Sequence, residues 1–456
     1  MLDVGLINGT VVAETGCDAL DLGLKDGKIA EIERPGALAP ARRTIDAAGM
    51  YVIPGAIDIH FHCRAPSHPE RGDFRSETAA AVGAGVTTVF EMPISLPACS
   101  SPEVLARRRA LAEAEAYANV ALYSGAVLGG EAATVAMVEA GAIAFKLFTT
   151  SPPAGREAEF EGLWACEEAD IYEALADIAE TGLRCVVHAE NQSLLRYFQR
   201  TSPPDLVWWP PLVESATIGM LAGVALELGS PLHIAHVSSE QALAIVRGAL
   251  LAGAPLSAET CPQYLTLDES TVAVFGAVAK VAPPLRRRSD ADALWRGLVD
   301  GSLSVVASDH SPFLLAEKTT ADFAQAPRGL PTVELLVPVV FDAVARGVIT
   351  LERAVELVSG NPARLFGLYP EKGTIALGSD ADLTVVSLER TFTPSPATLR
   401  SRAADCGVVY AGLSLQAVVD TTIVGGAVVF AGSRICAEPA GRFVPGPGLG
   451  SLNPVR

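Results

Sequence analysis

The sequence predicts an α/β protein, a (β/α)8 TIM barrel with a small β-sandwich domain formed from both chain termini. Between about residues 52 and 310, eight short β-branched runs alternate with longer segments whose apolar residues recur at three- and four-residue spacing. Repeated strand–helix units favour a parallel sheet that closes into a barrel. An open doubly wound sheet is the alternative, but no Gly-rich dinucleotide turn follows the first strand. The eight runs are YVIPGAID, VTTVFEM, NVALYSGAV, AIAFKLF, RCVVHAE, LHIAHV, PLSAETC and LSVVASD.

The two ends of the chain show a different pattern, in which short strands alternate with Gly, Asn and Asp turns. We expect residues 1–51 and 374–456 to supply the two parts of the β-sandwich, and residues 52–373 to form the barrel. The tail from Glu438 is expected to be loosely ordered.

Two Pro-rich stretches without clear periodicity, residues 201–215 and 311–332, follow the fifth and eighth predicted strands. Loops at the carboxyl ends of barrel strands often cover an active site. We expect these two loops to do so here.

The composition limits the classes of function. Half of the 456 residues are hydrophobic and 19% are charged, which is typical of a globular protein with a large core. The net charge of −18 opposes binding to nucleic acid or to an anionic membrane, so a small-molecule partner is favoured. The eight cysteines are dispersed without a CxxC pair, and the N-terminus does not resemble a signal peptide. We therefore expect a reduced, cytoplasmic protein without a transmembrane segment.

A pair of histidines, His60 and His62, follows the apolar run YVIPGAI. Side chains two residues apart leave a strand on the same face, so two neutral imidazoles can converge on one ion. The pair alone is weak evidence, because histidine is often a core or surface residue.

Further polar residues stand at the ends of other predicted strands. His188 and His236 end the fifth and sixth strands, and Asp309 ends the eighth. Catalytic groups gather at the carboxyl ends of the strands in this architecture. Together with the histidine pair, these residues offer enough nitrogen and oxygen ligands for one or two ions such as Zn²⁺.

Lys146 lies within the fourth apolar strand, where an ammonium group is costly unless it is paired or neutral. In one interpretation it reaches solvent or pairs with an acid. In the other, the neutral amine captures CO2 and the resulting carbamate bridges two metal ions.

The remaining histidines receive no metal-binding role. His68 is expected in a loop, and His233 is expected to pack in the core or behind a metal ligand. His310 is either a structural neighbour of the site or a substrate contact.

Taken in order, the motifs resemble the amidohydrolase superfamily, in the cyclic-amidase branch that includes allantoinase, dihydroorotase and the hydantoinases or dihydropyrimidinases. The resemblance implies two divalent metal ions, zinc above all. His60, His62 and Asp309 would bind one ion, His188 and His236 the other, and carboxylated Lys146 would join them. The segments that carry the resemblance are GLINGTVV, DGKIAEIE, IPGAIDIHFH, AAAVGAGVTTVFEMP, AFKLF, VVHAEN, HIAHVSS, AETCPQYL, APPLR, ASDHSPF and NPARLFGLYPEKGTIALGSDADLTVV.

The resemblance also implies a mechanism. A hydroxide bridging the two ions would attack the ring amide, with Asp309 as general base and then general acid. The GxSxG elbow of acyl-enzyme hydrolases is missing from the sequence. The substrate contacts that the resemblance implies are Arg64, Ser95, His310, Pro283 and Gly329.

Several departures bear on the substrate. Arg64 after the histidine pair suits a substrate carboxylate, as in dihydroorotases, but Ile94 replaces the asparagine of those chains. No tyrosine follows Lys146 as it does in hydantoinases, Gln263 replaces a common histidine, and Thr332 replaces a common glycine. The sequence favours allantoinase, with dihydroorotase or hydantoinase/dihydropyrimidinase activity as alternatives.

Two other classes remain as alternatives. A catalytically inactive scaffold of the dihydropyrimidinase-like type would be expected to lack metal ligands, whereas all six candidates are present. A periplasmic binding protein would need a secretion signal and two lobes. The resemblance also implies a homo-oligomer, either a tetramer or a dimer.

Overall fold

The computed structural model describes residues 1–13, 16–201, 209–319 and 323–448. Five strands precede the barrel, and the long first strand is central to them. It pairs antiparallel with the second strand along most of its length, while its two halves pair in parallel with the fourth and fifth strands. The five strands are β1 (Leu2–Ala13), β2 (Gly16–Lys25), β3 (Lys28–Glu33), β4 (Ala41–Asp46) and β5 (Tyr51–Pro54).

The barrel follows, and all eight strand positions predicted from the sequence are present. Neighbouring strands pair in parallel, and the third position is divided into two short strands. A parallel bridge between Phe61 and His310 joins the first position to the segment after the last, with His62 N donating to His310 O at 2.9 Å. The predicted barrel is thus confirmed. Its strands are β6 (Ala56–Phe61), β7 (Val86–Glu91), β8 (Asn119–Leu122), β9 (Ser124–Gly125), β10 (Phe145–Phe148), β11 (Cys185–His188), β12 (Leu232–Ile234), β13 (Leu256–Thr260) and β14 (Val305–Val306).

The run YVIPGAID was expected to form one barrel strand, but the structure divides it at Gly55. β5 before this glycine belongs to the terminal sheet, and β6 after it begins the barrel. A Cβ at Gly55 would lie 2.2 Å from Oγ1 of Thr87, so the close approach of two strands requires glycine here. Residues 51–54 therefore leave the barrel, although the domain boundaries themselves stay predictions.

Four C-terminal strands complete the β-sandwich, which is confirmed. β5 pairs antiparallel with the first of them, so strands from both chain ends share one sheet. An apolar cluster that includes Leu6, Leu22, Val52 and Leu383 fills its interior. The four strands are β15 (Leu383–Ser387), β16 (Val418–Val424), β17 (Ala427–Ala431) and β18 (Arg434–Ile435).

Helices occupy the segments between barrel strands. Capping residues set several helix starts, as where Asp73 accepts from Ser76 N at 2.7 Å. Within the described residues, no helix is long and apolar enough to span a membrane. The helices are α1 (Phe74–Gly83), α2 (Pro102–Glu115), α3 (Glu131–Glu139), α4 (Glu168–Ala179), α5 (Gln192–Thr201), α6 (Leu212–Leu228), α7 (Glu240–Leu251), α8 (Pro262–Thr266), α9 (Glu269–Phe275), α10 (Arg288–Asp300), α11 (Leu315–Lys318), α12 (Leu336–Ala345), α13 (Leu351–Val355) and α14 (Asn361–Leu365), with shorter helical turns at Glu157–Phe160, Gly276–Ala279, Val333–Leu335, Glu356–Gly360 and Ala404–Tyr410.

The start of the C-terminal tail is packed, which corrects the expectation of a loosely ordered segment. Phe443 is buried and forms a bridge with Val120, and Gly441 N donates to Ala116 O at 2.8 Å. These bonds satisfy backbone groups at the edge of the barrel. Residues 449–456 lie outside the described part of the chain, as do 202–208 and 320–322 of the two loops predicted to cover the site.

The barrel interior is filled with apolar side chains beneath the site. Phe90, Tyr123 and Phe366 stack edge to face, with centroids of Phe90 and Phe366 5.2 Å apart. Tyr123 donates to Ile59 O at 2.9 Å, which satisfies its buried hydroxyl. This apolar layer fills the barrel next to the carboxyl ends of the strands, so the polar groups at those ends pack against apolar side chains.

Candidate metal centre

Three predicted ligands converge at the junction of the first and last barrel strands. His60 ends β6, His62 follows it directly, and Asp309 lies three residues beyond β14. Oδ1 of Asp309 lies 3.3 Å from Nε2 of His60 and 3.7 Å from Nε2 of His62. One ligand atom from each residue lies within 4.8 Å of the others, a spacing that suits three ligands of one ion.

A second pair of imidazoles lies beside this group. Nδ1 of His188 and Nε2 of His236 are 2.8 Å apart, and the rings of His60 and His236 have centroids 5.4 Å apart. Two ring nitrogens at this distance need a proton or a cation between them, because two lone pairs repel. The five predicted nitrogen and oxygen donors therefore form one continuous cluster.

Lys146 lies within β10 beside both groups. Its side chain is fully buried, and Nζ makes neither a hydrogen bond nor an ion pair within the described residues. Nζ lies 5.1 Å from the ring centroid of Phe148. Burial lowers the pKa of Lys146 to about 8 and raises the pKa of Asp309 to about 8. The alternative in which Lys146 reaches solvent is excluded by its burial.

Two glutamates hold the histidine rings in orientation. Oε1 of Glu259 lies 2.5 Å from Nδ1 of His60, which leaves Nε2 of that ring facing Asp309. Oε2 of Glu190 lies 2.7 Å from Nε2 of His188, which leaves Nδ1 facing His236. A carboxylate that accepts the N–H of one ring nitrogen makes the other nitrogen a free donor to a metal.

Sequence reasoning missed both glutamates. The signal was present in the motifs HAEN and AETC, each of which places a glutamate at the end of a barrel strand. Both carboxylates are fully buried, where a charge needs a partner.

The imidazoles of His60, His62 and His236 are held neutral. Burial lowers the pKa of His60 to about 4, and it lowers the pKa values of His62 and His236 well below the ordinary value. A neutral imidazole is the form that binds a metal ion, so no proton has to be displaced from these rings at neutral pH. The donor set fits a pair of borderline divalent ions.

Backbone strain is concentrated at the same place. Arg64, His236 and Asp309 have φ angles of 65°, 39° and 48°, in the left-handed region that non-glycine residues rarely adopt. Such conformations cost about 1 kcal/mol or more and persist where the surroundings enforce them. Each turns the chain at the end of a barrel strand.

Arg64, a predicted substrate contact, is buried beside the cluster. Its Nη2 donates to Oγ of Ser311 at 2.5 Å, and its guanidinium carbon lies 4.5 Å from the ring centroid of Phe313. Nε has no hydrogen-bond partner within the described residues. Ser95 is also buried, and its hydroxyl donates to Ala65 O at 3.0 Å. The arginine thus retains an unused donor, whereas the serine hydroxyl is engaged.

The other predicted substrate contacts are already bonded within the protein. Nε2 of His310 lies 2.8 Å from Oε2 of Glu77, and Nδ1 accepts from Thr332 N at 3.1 Å. Pro283 O accepts from the hydroxyl of Tyr264 at 2.7 Å. Gly329 N donates to Lys280 O, and Gly329 O accepts from Nζ of Lys318. His310 has no free ring nitrogen, which favours its interpretation as a structural neighbour.

The two remaining histidines also have structural partners. His233 is buried between Ser257 and Glu259, with Nδ1 2.8 Å from Oγ of the serine. His68 lies in a loop beside Glu70 and Glu159. Through Glu259, His233 lies behind His60, which agrees with the expectation that it packs behind a metal ligand.

The match to the Amidohydrolase family model covers residues 51–429. The chain belongs to the amidohydrolase family. This amidohydrolase is 34% identical over 451 residues to an allantoinase of Rubrobacter xylanophilus, an alignment covering 96% of this chain and 97% of that one. It is 32% identical over 464 residues to a D-hydantoinase of Ralstonia pickettii, covering 97% and 98% of the two chains. The structure of an L-hydantoinase from Arthrobacter aurescens superimposes with a TM-score of 0.91 and 30% identity, covering 98% of this chain and all of that one.

Proposed function

We propose that this amidohydrolase opens the ring of allantoin to give allantoate. As a member of this family with allantoinase and hydantoinase relatives, the protein is a hydrolase of carbon–nitrogen bonds in cyclic amides. The observation that carries the choice of allantoin is the 34% identity to an allantoinase along nearly the whole chain. The pattern of Ile94 and Ser95 after Met-Pro, similar to that of allantoinases, supports the same choice.

The proposed cofactor is a pair of divalent ions, zinc above all. His60, His62 and Asp309 would hold one ion, and His188 and His236 the other. When bound, the ions would lower the pKa of water and polarise the amide carbonyl. The neutral rings of His60 and His236, the convergence of His60, His62 and Asp309, and the contact between His188 and His236 support this assignment.

Lys146 would join the two groups of ligands as a carbamate. Its amine is buried without a partner, and burial lowers its pKa to about 8, so a substantial fraction is neutral near pH 8. The neutral nitrogen forms a bond to the carbon of CO2 and loses a proton, which yields a carbamate anion. The anion removes the cost of a buried cation beside a metal pair.

Asp309 is the proposed catalytic base and acid. Oδ1 of its carboxyl group lies 3.3 Å from Nε2 of His60 and 3.7 Å from Nε2 of His62, so this carboxylate faces the proposed ion site, as a general base there requires. It would accept the proton of the attacking water and return it to the departing ring nitrogen. Arg64 is the proposed contact for a polar substituent of the ring, because its Nε is unused within the described residues.

A hydantoin is the second candidate substrate. The superposition on an L-hydantoinase with a TM-score of 0.91 favours it. Against it stands Ser151, which occupies the region where hydantoinase-like chains carry a tyrosine after the bridging lysine; both its N–H and its hydroxyl are bonded to Oε1 of Gln192. The inactive-scaffold alternative is disfavoured because all six candidate ligands are present.

We also propose that the protein is cytoplasmic and forms a homo-oligomer, as a dimer or tetramer. The dispersed cysteines are all free within the described residues, in keeping with a reducing compartment.

A hydrolysis screen tests the proposed activity. The protein is reconstituted with Zn²⁺ and bicarbonate and assayed against allantoin, dihydroorotate, hydantoins and dihydropyrimidines, with bound metal measured on the same samples. We expect allantoin to have the highest kcat/KM. Activity on another substrate without activity on allantoin contradicts the proposed substrate. Absence of both metal and activity after reconstitution contradicts the proposed metal-dependent activity.

A further inference from the structure

We propose that Arg328 is a catalytic residue, whose guanidinium donates hydrogen bonds to the urea carbonyl oxygen of the substrate ring and stabilises the ring nitrogen as it departs. Arg328 is partly exposed and lies between α11 and the helical turn at Val333–Leu335. The inference rests on the proposed function. It adds a contact at the end of the ring opposite the substituent that is assigned to Arg64.

The guanidinium of Arg328 has unused hydrogen-bond donors. Its nitrogens make no hydrogen bond and no ion pair with any residue in the described part of the chain. The guanidinium carbon lies 4.9 Å from the ring centroid of the buried Trp209. Contact with an aromatic ring holds the cation in place without consuming its N–H groups, so they remain for another partner.

Other arginines near the mouth of the barrel are engaged within the protein. Arg286 donates to Trp209 O at 2.5 Å, and Arg71 pairs with Glu317 at 2.6 Å. Arginines that only support a structure normally have such acceptors. The open donors of Arg328 therefore indicate that its acceptor belongs to a ligand.

The backbone that carries Arg328 is held in place. Gly329 N donates to Lys280 O at 3.0 Å, and Gly329 O accepts from Nζ of the buried Lys318 at 2.5 Å. Gly329 has a φ of 148°, and a Cβ there would lie 2.6 Å from Ser311 O, so this position requires glycine. A donor on a fixed backbone stabilises charge without first having to be ordered.

The side chain of Arg328 extends from the rim at the eighth strand position toward the rim at the fifth. At the eighth position, the next residue of the chain packs against Ser311. Toward the fifth, Trp209 beneath the guanidinium donates through Nε1 to Glu190, which lies 2.7 Å from Nε2 of His188. Three successive contacts thus join Arg328 to the candidate ligand at the end of β11.

The chemistry of the ring gives this position a role. In allantoin, hydantoin and dihydroorotate, the departing nitrogen lies between the carbonyl that is attacked and a second, urea carbonyl. When the carbon–nitrogen bond breaks, its electron pair passes to the nitrogen and is shared with the urea oxygen. A guanidinium at that oxygen stabilises this charge until Asp309 returns the proton to the nitrogen.

The two arginines fit the two ends of one ring. Arg64 follows His62, on the side of the first proposed ion, and is assigned to the substituent. In allantoin the substituent and the urea carbonyl lie on opposite sides of the reacting carbonyl. With Arg64 at the substituent, the urea carbonyl is directed toward Arg328, on the side of the second proposed ion.

Steady-state kinetics test the role with the full-length, zinc-reconstituted wild type and Arg328→Met, using allantoin and hydantoin. The matched control is Arg109→Met, because Arg109 lies over Phe443 at 4.8 Å and pairs with Glu113, on α2. A charge-assisted hydrogen bond that strengthens as the bond breaks acts mainly on kcat. We expect kcat of Arg328→Met to fall roughly 10–100-fold and KM to change less, with unchanged zinc per chain. The control should keep the wild-type values.

Chemical rescue distinguishes a donor to the substrate from a structural residue. Guanidinium chloride should restore part of kcat in Arg328→Ala, at concentrations that leave the circular dichroism unchanged. Sodium chloride at equal ionic strength should not. Arg328→Lys covers the case in which the apolar variants do not fold, since it keeps the charge but not the planar fork, and we expect its kcat to be intermediate.

Several outcomes overturn the inference. They are an unchanged kcat, a rise in KM alone, the absence of guanidinium rescue, or, in Arg328→Lys, a wild-type kcat. A loss of zinc that parallels the loss of kcat also overturns it, because Arg328 would then act through Trp209 and Glu190 on His188. A wild type that opens hydantoin but not allantoin contradicts the proposed substrate alone, since the role of Arg328 is then measured with hydantoin. A wild type inactive on both overturns both proposals.

Discussion

Nδ1 of His60 lies 2.5 Å from Oε1 of Glu259, a residue 199 positions later in the chain. The same carboxylate lies 3.2 Å from Nε2 of His233 through its other oxygen. Glu259 is thus charged between two neutral rings, and although burial alone would raise its pKa, the histidines lower it. This contact decides which nitrogen of His60 faces Asp309.

Glu259→Gln tests this orientation. A glutamine can present its NH₂ to Nδ1 and leave His60 in the wrong tautomer, so the ion held by His60 should bind more weakly. Loss of such a carboxylate typically lowers metal affinity 10–100-fold. The measurement is zinc affinity by competition with a chromogenic chelator. His233→Gln is the control, since it contacts the same carboxylate without belonging to the cluster; equal zinc affinity in Glu259→Gln and wild type contradicts the role.

Glu190→Gln addresses the other half of the centre. Oε2 of Glu190 lies 2.7 Å from Nε2 of His188, and its other oxygen accepts from Nε1 of Trp209. We expect this variant to lose the second ion first and to bind about one zinc per chain at limiting metal. Glu190→Gln and Glu259→Gln should weaken the binding of different ions. Visible spectra of the cobalt-substituted variants can distinguish the two ions. Identical spectra in the two variants would argue against two separately oriented ligands.

Lys146→Ala removes the proposed bridge. Because the carbamate would be the ligand common to both ions, we expect the variant to lose binuclear binding and its activity together. Short carboxylic acids should restore part of the activity, since they place a carboxylate in the vacated volume. Metal content by mass spectrometry and activity with and without acetate are measured. An alanine variant with two bound ions would contradict a bridging role.

Much of this centre could be predicted from the sequence because each ligand ends an apolar strand. A barrel brings all carboxyl strand ends to one rim, so His188 and His236 lie near His60 without any knowledge of distances. The glutamates were not predicted, because their partners depend on which side chains face each other once the barrel closes. His310 illustrates the same limit, since its partner Glu77 lies 233 positions earlier.

The fold shows a similar division. Eight strands and the joint sandwich followed from periodicity, because alternating apolar runs and helices have few other arrangements. The division at Gly55 did not, because the run is apolar throughout and only the approach of Thr87 marks the change of sheet. The docking of Phe443 against Val120 was missed because Pro and Gly around it are typical of loose tails.

Removal of metal should destabilise the protein. The neutral histidines and Asp309 form a polar cluster whose ligands are held together at a cost in strain and desolvation. When the free ion concentration is 100 times the dissociation constant, each bound ion stabilises the folded state by about 3 kcal/mol. We expect a chelator to lower Tm by several degrees and zinc to restore it, as followed by differential scanning calorimetry. The double variant His60→Ala, His188→Ala should show no response to the chelator; an equal shift in that variant would place the responding metal elsewhere.

Substitution of Arg64 should reduce activity on an acidic substrate more than activity on a neutral one. Its guanidinium is anchored by Ser311 and the ring of Phe313, and its Nε remains unused within the described residues. A charge-assisted hydrogen bond to a carboxylate typically contributes about 1.5–3 kcal/mol to binding, which corresponds to roughly 10–100-fold in affinity. Arg64→Met should therefore reduce kcat/KM for dihydroorotate by that factor and for allantoin by less.

The matched control for this variant is Arg71→Met, because Arg71 also lies over the ring of Phe313, at 5.0 Å, while its charge pairs with Glu317. Loss of packing on Phe313 would affect both variants, whereas loss of a substrate contact would affect Arg64→Met alone. Steady-state kinetics with allantoin and dihydroorotate on the four combinations measure the difference. An equal reduction in kcat/KM for both substrates would mean that Arg64 only holds Ser311 and Phe313 in place. A larger reduction for allantoin than for dihydroorotate would contradict the expected selectivity.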